Sequence, residues 1–105
     1  MPRYIVLGSY TNEGTAALVD GDSDRRAVME VMHKSVGATL VDYSITRGKY
    51  DFYVIGDADS FEQIAAMTLK AKGSGTVDNL VILEAVDIDA IRNVAKGVQF
   101  TPPSG

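Results

Sequence analysis

The chain has 105 residues, of which 46% are hydrophobic and 23% charged, which is the length and composition of one globular domain. Its net charge of −4 argues against nucleic-acid binding, because neutralising phosphates needs clustered Lys and Arg. The lack of cysteine and the single histidine, His33, exclude disulfides, thiolate chemistry and any multi-histidine metal site within one chain.

The N-terminal run is short and lacks the basic region of a signal peptide, and no stretch approaches the ~20 apolar residues of a membrane span. We therefore predict a cytoplasmic protein that has no membrane segment and binds no metal or cofactor.

The first predicted elements are a strand, a loop and a helix. Residues 4–7 are apolar and are closed by Gly8, which is typical of a central strand buried on both faces. Turn-forming residues in 11–22 predict a loop with one helical turn. A helix capped by Asp22 or Ser23 follows and ends at Gly37. Its predicted apolar arc consists of Ala27, Val28, Val31, Met32 and Val36.

The remaining pattern predicts a hairpin, a helix, a strand and a short last helix. The hairpin strands cover residues 38–46 and 50–57, and the second helix begins at Ser60 with a capping box to Gln63. A fourth strand over 77–86 and a third helix over 87–95 follow, before a loose tail at 96–105.

This order predicts an α+β fold of the ferredoxin-like βαββαβ kind, with an antiparallel four-stranded sheet and both main helices on one face. Residues 1–95 then form a single domain.

The hairpin determines which side chains share a face of the sheet. With a turn of two or four residues, Thr46 pairs with Asp51, and Tyr43 lies opposite Val54. The face beneath the helices is then expected to hold Val41, Tyr43, Ile45, Phe52 and Val54. The other face is expected to hold Leu40, Asp42, Ser44, Thr46, Asp51, Tyr53 and Ile55.

The second face has no cover from the predicted helices, although the central strand adds apolar residues to it. A few hundred Å² of apolar surface, at ~25 cal/mol per Å², favours a partner by several kcal/mol. We therefore predict a homodimer that pairs through this face, since an isologous contact covers both copies at once. A C-terminal helix folded over the face is the alternative.

Several motifs resemble those of one known family. Gly48-Lys49-Tyr50-Asp51 matches a Gly-x-Tyr-Asp signature, and the opening 4–11, Gly14, Arg25-Arg26-Ala27 and Gly37 with Leu40 fit the same pattern. On these residues, the chain resembles the GYD domain family over about positions 4–86. The resemblance implies a dimeric α+β-barrel-like architecture and a bacterial origin, and it implies no established activity. The chain departs from the family pattern in two places. Ser44 lies where the family has aromatic residues, and the segment after about Asp89 extends past the usual end of the family's domain.

Six residues are candidates for a small-molecule site. Asp51 and Tyr50 could orient or deprotonate a polar ligand, although an Asp after a turn commonly accepts turn N–H groups. His33 could act as a base if it faced a cavity, although a lone His at a helix boundary is more often on the surface. Asp42, Ser44 and Tyr53 could line a pocket between two sheets or form the centre of a dimer contact.

The leading functional hypothesis is a homodimeric ligand-binding or accessory protein. The first alternative is a cofactor-independent enzyme, a monooxygenase or isomerase, acting on a small aromatic or carbonyl compound by fold-level analogy. The second is a structural oligomerisation module. A cavity reached by Asp51, Tyr53 or His33 favours ligand binding or catalysis over the structural module.

Overall fold

A computed structural model describes residues 1–104. Four strands form one antiparallel sheet in the order β2-β3-β1-β4, which is the strand order of a ferredoxin-like fold. The elements are β1 (Arg3–Tyr10), α1 (Asn12–Asp20), α2 (Arg25–Ser35), β2 (Thr39–Ile45), β3 (Phe52–Asp57), α3 (Phe61–Gly73), β4 (Val77–Glu84) and α4 (Ile88–Ala95). The predicted α+β fold is confirmed.

The predicted loop at 11–22 is wrong, because most of this segment forms the nine-residue helix α1. The Thr11 hydroxyl caps it by accepting from the Gly14 N–H at 3.1 Å. A Cβ on Gly14 would lie 2.0 Å from the Thr76 carbonyl oxygen, so glycine allows the helix to approach the start of β4. In this segment, Gly14 therefore allows a helix to pack closely and does not mark a loop.

Helix α2 begins later than predicted and is rotated. Asp24, and not Asp22 or Ser23, caps it by accepting from the Ala27 N–H at 3.1 Å. The predicted apolar arc is wrong in part, since Val28 and Val31 are exposed. The side chains that pack toward the core are instead Met29, Met32, His33 and Val36.

The hairpin pairs as predicted at its turn and departs from the prediction further along. The Thr46 N–H donates to the Asp51 carbonyl at 2.8 Å, so four residues form the loop. Tyr43 lies opposite Val54 and Ile45 opposite Phe52. A bulge between Leu40 and Asp42 then shifts the register, and Leu40 packs against the core instead of lying on the open side.

The core lies between the sheet and the helices α2 and α3. Its buried apolar residues come from β1, β3, β4 and α3 and from the segments beside β2 and β3: Tyr4, Val6, Ala38, Phe52, Val54, Ala58, Ile64, Met67 and Val77. At the start of α3, the Ser60 N–H donates to Gln63 Oε1 at 2.9 Å, as the capping box predicts. Gln63 Nε2 also donates to the Val36 carbonyl at 2.6 Å, which ties α3 to the end of α2.

Helix α4 lies apart from this body. All its residues are exposed, and the molecule measures 60 × 35 × 21 Å. The radius of gyration is 17.6 Å, against ~13 Å for a compact domain of this length. The alternative in which a C-terminal helix covers the open side of the sheet is therefore not the arrangement in this structure. No helix within residues 1–104 has the length and apolarity needed to cross a membrane.

Candidate functional site

The Gly-x-Tyr-Asp segment forms the turn of the hairpin. Gly48 has φ of +133°, a conformation that side chains disfavour, and a Cβ there would meet no atom within 4 Å. The Tyr50 carbonyl accepts from the Thr46 hydroxyl at 2.6 Å, while Lys49 Nζ lies 5.7 Å from the centre of the Tyr50 ring. The glycine therefore meets a backbone requirement, and the tyrosine carbonyl closes the turn.

Asp51 ties this hairpin to the central strand. Its backbone N–H donates to the Gly8 carbonyl at 2.8 Å, and its carboxylate Oδ2 accepts from the Tyr10 N–H at 2.9 Å. The second bond supplies a partner to a backbone N–H beyond the last β1–β3 pair, Gly8 with Phe52. The geometry thus gives the Asp51 carboxylate a structural contact, but with the central strand and not with the N–H groups of the turn that the sequence suggested.

The open face is the side of the sheet away from α2 and α3. The strand register places on it the apolar residues Ile5, Leu7, Tyr53, Ile55, Val81 and Leu83. Leu7 lies opposite both Tyr53 and Val81, and Ile5 lies opposite both Ile55 and Leu83. The three strands β3, β1 and β4 therefore present one continuous apolar patch, and Leu83 is 46% exposed.

A polar pair borders the patch at β2. The Tyr53 hydroxyl donates to Asp42 Oδ2 at 2.7 Å, and Arg26 Nη1 donates to Asp42 Oδ1 at 3.2 Å. The bond from Tyr53, followed by that from Arg26, holds the pKa of Asp42 below its ordinary value. The same bond to Asp42 raises the pKa of Tyr53, so a neutral phenol donates to an ionised carboxylate.

An ion pair lies at the other end of the same face. Arg3 donates to Asp57 through Nε at 2.9 Å and through Nη2 at 3.1 Å, a bidentate geometry across the β1–β3 ladder. The hydrogen bond from Arg3 lowers the pKa of the Asp57 carboxyl. The patch is thus bordered by paired charges at Arg3–Asp57 and by the Asp42–Tyr53 bond.

On the helix side, a cavity lies between α2, α3 and the sheet. His33 is 3% exposed and is one of its lining residues, so the expectation of a surface histidine is wrong. The imidazole Nδ1 donates to the Met29 carbonyl one turn earlier at 2.7 Å. This cavity is separate from the open face, because none of Asp42, Ser44, Tyr50, Asp51 and Tyr53 lines it.

The six predicted site residues therefore fall into three groups. Asp42 and Tyr53 are hydrogen-bonded to each other on the open face. Tyr50 and Asp51 belong to the hairpin turn, and His33 faces the cavity. Ser44 belongs with the open-face pair, because it lies directly opposite Tyr53 in the β2–β3 ladder, and its hydroxyl donates to the Ile45 carbonyl at 3.1 Å.

Sequence reasoning missed three features of these surfaces. Arg3 and Asp57 are 54 positions apart, and only the strand pairing brings them together. The hydroxyls of Tyr10 and Tyr43 lie 2.7 Å apart, a contact between distant residues that no local pattern encodes. The cavity itself arises from how two helices sit on the sheet, and a cluster of methionines was its only signal in the sequence.

The fold and these surfaces define a class of protein: a small ferredoxin-like α+β domain with an apolar sheet face that nothing within residues 1–104 covers and with an apolar cavity beneath its helices. Within residues 1–104, no group of three His, Cys, Asp or Glu side chains is placed to hold a metal ion. The GYD domain model matches residues 4–95, and the chain belongs to the GYD domain family.

Two similar proteins extend this comparison. A "Glutamine synthetase and cystathionine beta-lyase binding protein" from Thermus thermophilus is 27% identical over 88 residues, which are 84% of this chain and 92% of the relative. The crystal structure of FFRP-DM1 superposes with a TM-score of 0.53 at 16% identity, covering 82% of this chain and 100% of that one. The second likeness supports the fold.

Proposed function

We propose that this protein is a non-catalytic accessory protein that works as a homodimer, joined through the open faces of two sheets, and that binds protein partners. The observation that carries the proposal is the open face itself. One side of the sheet is covered by α2 and α3, whereas the apolar patch on the other side has no cover within residues 1–104.

The size of this apolar patch and its polar border favour a second copy of the chain as the partner that covers it. At ~25 cal/mol per Å², burying a few hundred Å² of apolar surface on each copy is worth several kcal/mol. A two-fold contact brings the same patch from both copies together, so one set of residues suffices for both sides. The polar pairs at its border fit the pattern of an interface with an apolar centre and a polar rim.

Helix α4 gives independent support for a partner. It has only eight residues, and isolated helices shorter than roughly 12 residues are marginal in water. Its apolar stripe, Ile91, Val94 and Ala95, continues to Val98 just beyond the helix, all four residues are exposed, and Phe100 further along is 74% exposed. We assign this stripe to the second copy, because α4 follows β4, the edge strand of the sheet that carries the open face.

The accessory role is supported by the comparison with the Thermus thermophilus relative, whose name describes it as a binding protein for glutamine synthetase and cystathionine beta-lyase. A binding role needs no catalytic group. A binding role also agrees with the hydrogen bonds of these two signature residues: the Tyr50 carbonyl closes the hairpin turn, and the Asp51 carboxylate joins the hairpin to the central strand. Asp42, Ser44 and Tyr53 then take part in the dimer contact.

The test compares two Leu→Glu variants by multi-angle light scattering. Leu83→Glu places a charge on the open face, whereas Leu69→Glu makes the same change on α3, where Leu69 is 68% exposed. We expect a dimer for the unmodified chain and for Leu69→Glu, and a monomer for folded Leu83→Glu. A monomeric unmodified chain at micromolar concentration, or a dimer that survives Leu83→Glu unchanged, refutes the sheet-to-sheet contact.

A further inference from the structure

The cavity beneath the helices lies above the central strands β1 and β3. Helix α2 lines it with Met29, Met32 and His33, and α3 lines it with Ile64, Met67, Thr68 and Ala71. The sheet contributes residues of β1, β3 and β4, among them Gly56. The surface of this space is almost wholly apolar, and none of the lining residues is Asp, Glu, Lys or Arg.

His33 brings a hydrogen-bonding atom to this apolar space. Because a backbone carbonyl can only accept, the 2.7 Å contact with the Met29 carbonyl puts a proton on Nδ1. In the neutral ring, Nε2 is then an acceptor, and no residue within 1–104 donates a hydrogen bond to it. The imidazole is 97% buried, since only 3% of the residue is exposed.

The sheet is shaped to receive the ring. A Cβ on Gly56 would lie 2.7 Å from His33 Nε2, so only glycine lets the imidazole reach the floor of the cavity. Three methionines, Met29, Met32 and Met67, form much of the wall. Their flexible, polarisable side chains adapt to occupants of different shape, as at other adaptable binding surfaces.

The volume limits the occupant. The cavity has a volume of about 60 Å³, taken as the space open to the centre of a water molecule. One water needs roughly 10–15 Å³ on this measure, so a few water-sized groups fit together, or one small ring. A charged group would lose its hydration there without meeting an opposite charge, which strongly disfavours carboxylates and ammonium ions.

We propose that this cavity binds a small, uncharged, mostly apolar molecule that carries one hydroxyl group, which donates a hydrogen bond to His33 Nε2. The apolar walls select the body of the ligand, and the imidazole selects and orients the hydroxyl. This site does not depend on the dimer, so it is tested separately from the open face.

The experiment uses 4-methylphenol, toluene and 4-methylbenzoate as probes on the full chain. The first two differ by one hydroxyl, and the third replaces it with a charge. With ¹⁵N-labelled histidine, the single His33 gives unambiguous ring signals. We expect 4-methylphenol to shift the Nε2 signal and to bind about fivefold to tenfold more tightly than toluene, in line with one added hydrogen bond. We expect no binding of 4-methylbenzoate.

Two matched variants locate the site. Ala71→Phe fills the cavity from α3, whereas Ala66→Phe makes the same change at an exposed position of that helix. We expect Ala71→Phe to abolish binding of both neutral probes and Ala66→Phe to preserve it. His33→Gln, whose amide oxygen can also accept, should keep more of the preference for 4-methylphenol than His33→Phe does.

Several outcomes overturn the proposal. They are no binding of 4-methylphenol up to its solubility, equal affinity for toluene, tighter binding of 4-methylbenzoate, or an unmoved Nε2 signal at saturation. If 4-methylphenol still binds to Ala71→Phe, it binds outside the cavity, and this result would also overturn the proposal. If Ala71→Phe does not fold, the Nε2 signal and the 4-methylphenol to toluene ratio in the unmodified protein decide the matter.

Discussion

The carboxylate of Asp51 accepts a hydrogen bond from the backbone N–H of Tyr10, with 2.9 Å between Oδ2 and N. This one contact joins the turn of the β2–β3 hairpin to the end of the central strand. It also explains why an aspartate follows the turn, since no backbone carbonyl of β3 is left to pair with that N–H.

Replacing Asp51 by alanine should destabilise the protein by about 1–2 kcal/mol, because the Tyr10 N–H loses a charged acceptor in a partly buried position. Asp51→Asn should cost less, since its amide oxygen can accept the same bond. Urea unfolding measures both. The control is Asp59→Ala, an exposed aspartate with no side-chain hydrogen bond among residues 1–104. Equal stabilities of Asp51→Ala and Asp59→Ala would contradict this role.

Replacing Gly48 by alanine should cost about 1–3 kcal/mol of stability. A Cβ at this position meets nothing within 4 Å, so the whole cost comes from holding alanine at φ of +133°. Gly73 also has open space around its Cβ position but ends α3 without a positive φ. Gly73→Ala should therefore stabilise the protein slightly, by about 0.4–1 kcal/mol. Thermal unfolding measures the stability of both variants. A destabilised Gly73→Ala together with an unchanged Gly48→Ala would show that the positive φ at Gly48 does not require glycine.

Acid should weaken the fold through Asp57. The hydrogen bond from Arg3 lowers the pKa of its carboxyl in the folded state below the ordinary 3.8. The unfolded chain therefore takes up a proton first, so this stabilisation is complete above that ordinary value and is lost as the pH falls through the lowered pKa. The urea concentration at the midpoint of unfolding should change less between pH 6 and pH 3 in Asp57→Asn than in the unmodified protein.

The control for this acid effect is Asp59→Asn, an exposed residue with no ion pair within 1–104, which should follow the unmodified protein. High salt should reduce the contribution of the Arg3–Asp57 pair, because Arg3 is 51% exposed and screening is effective at the surface. An identical acid response in Asp57→Asn would show that the pair contributes nothing.

Alkali should weaken the fold through Tyr10. Burial, followed by the hydrogen bond with the Tyr43 hydroxyl, raises the pKa of Tyr10 in the folded state. The unfolded chain loses this proton more readily, so the stabilisation is complete below the ordinary value of 10 and declines as the pH rises above it. Tyr10→Phe keeps the ring beside Phe52, 5.0 Å between centroids, and removes the titrating group.

The measurement is the urea midpoint at pH 9 and pH 10.5. Tyr10→Phe should lose less stability between these values than the unmodified protein. Tyr50→Phe is the control, since the Tyr50 hydroxyl has no hydrogen bond among residues 1–104. If Tyr10→Phe and Tyr50→Phe respond alike, Tyr10 is not the group responsible.

Local chemistry in the sequence was enough to predict most of the elements and the hairpin turn. The Thr46–Asp51 pairing follows from turn length, and the α3 start follows from the spacing of Ser60 and Gln63. The order of strands and helices then limits the sheet to few topologies, because crossovers are right-handed and short. The apolar face away from α2 and α3 follows from this topology as well.

Other features depended on distant contacts. Helix α1 forms from turn-like residues because Thr11 caps it and Gly14 packs on Thr76, 62 positions further along the chain. The bulge beside Leu40 moved that side chain to the core, although strict alternation predicted the opposite face.

The sequence by itself determined the family signature, the order of the elements and the presence of an apolar sheet face away from the two main helices, whereas the structure showed that α4 does not cover that face. Only the tertiary structure showed that the signature Asp51 secures a turn, and that His33 faces a cavity instead of solvent. The physical reason is the distance along the chain between the residues in contact. Turns and helix caps involve neighbouring residues. The rotation of α2 instead depends on residues far along the chain, because Arg26 bonds to Asp42 and Gly56 leaves room for the His33 imidazole. Periodicity in a single helix carries no information about either contact.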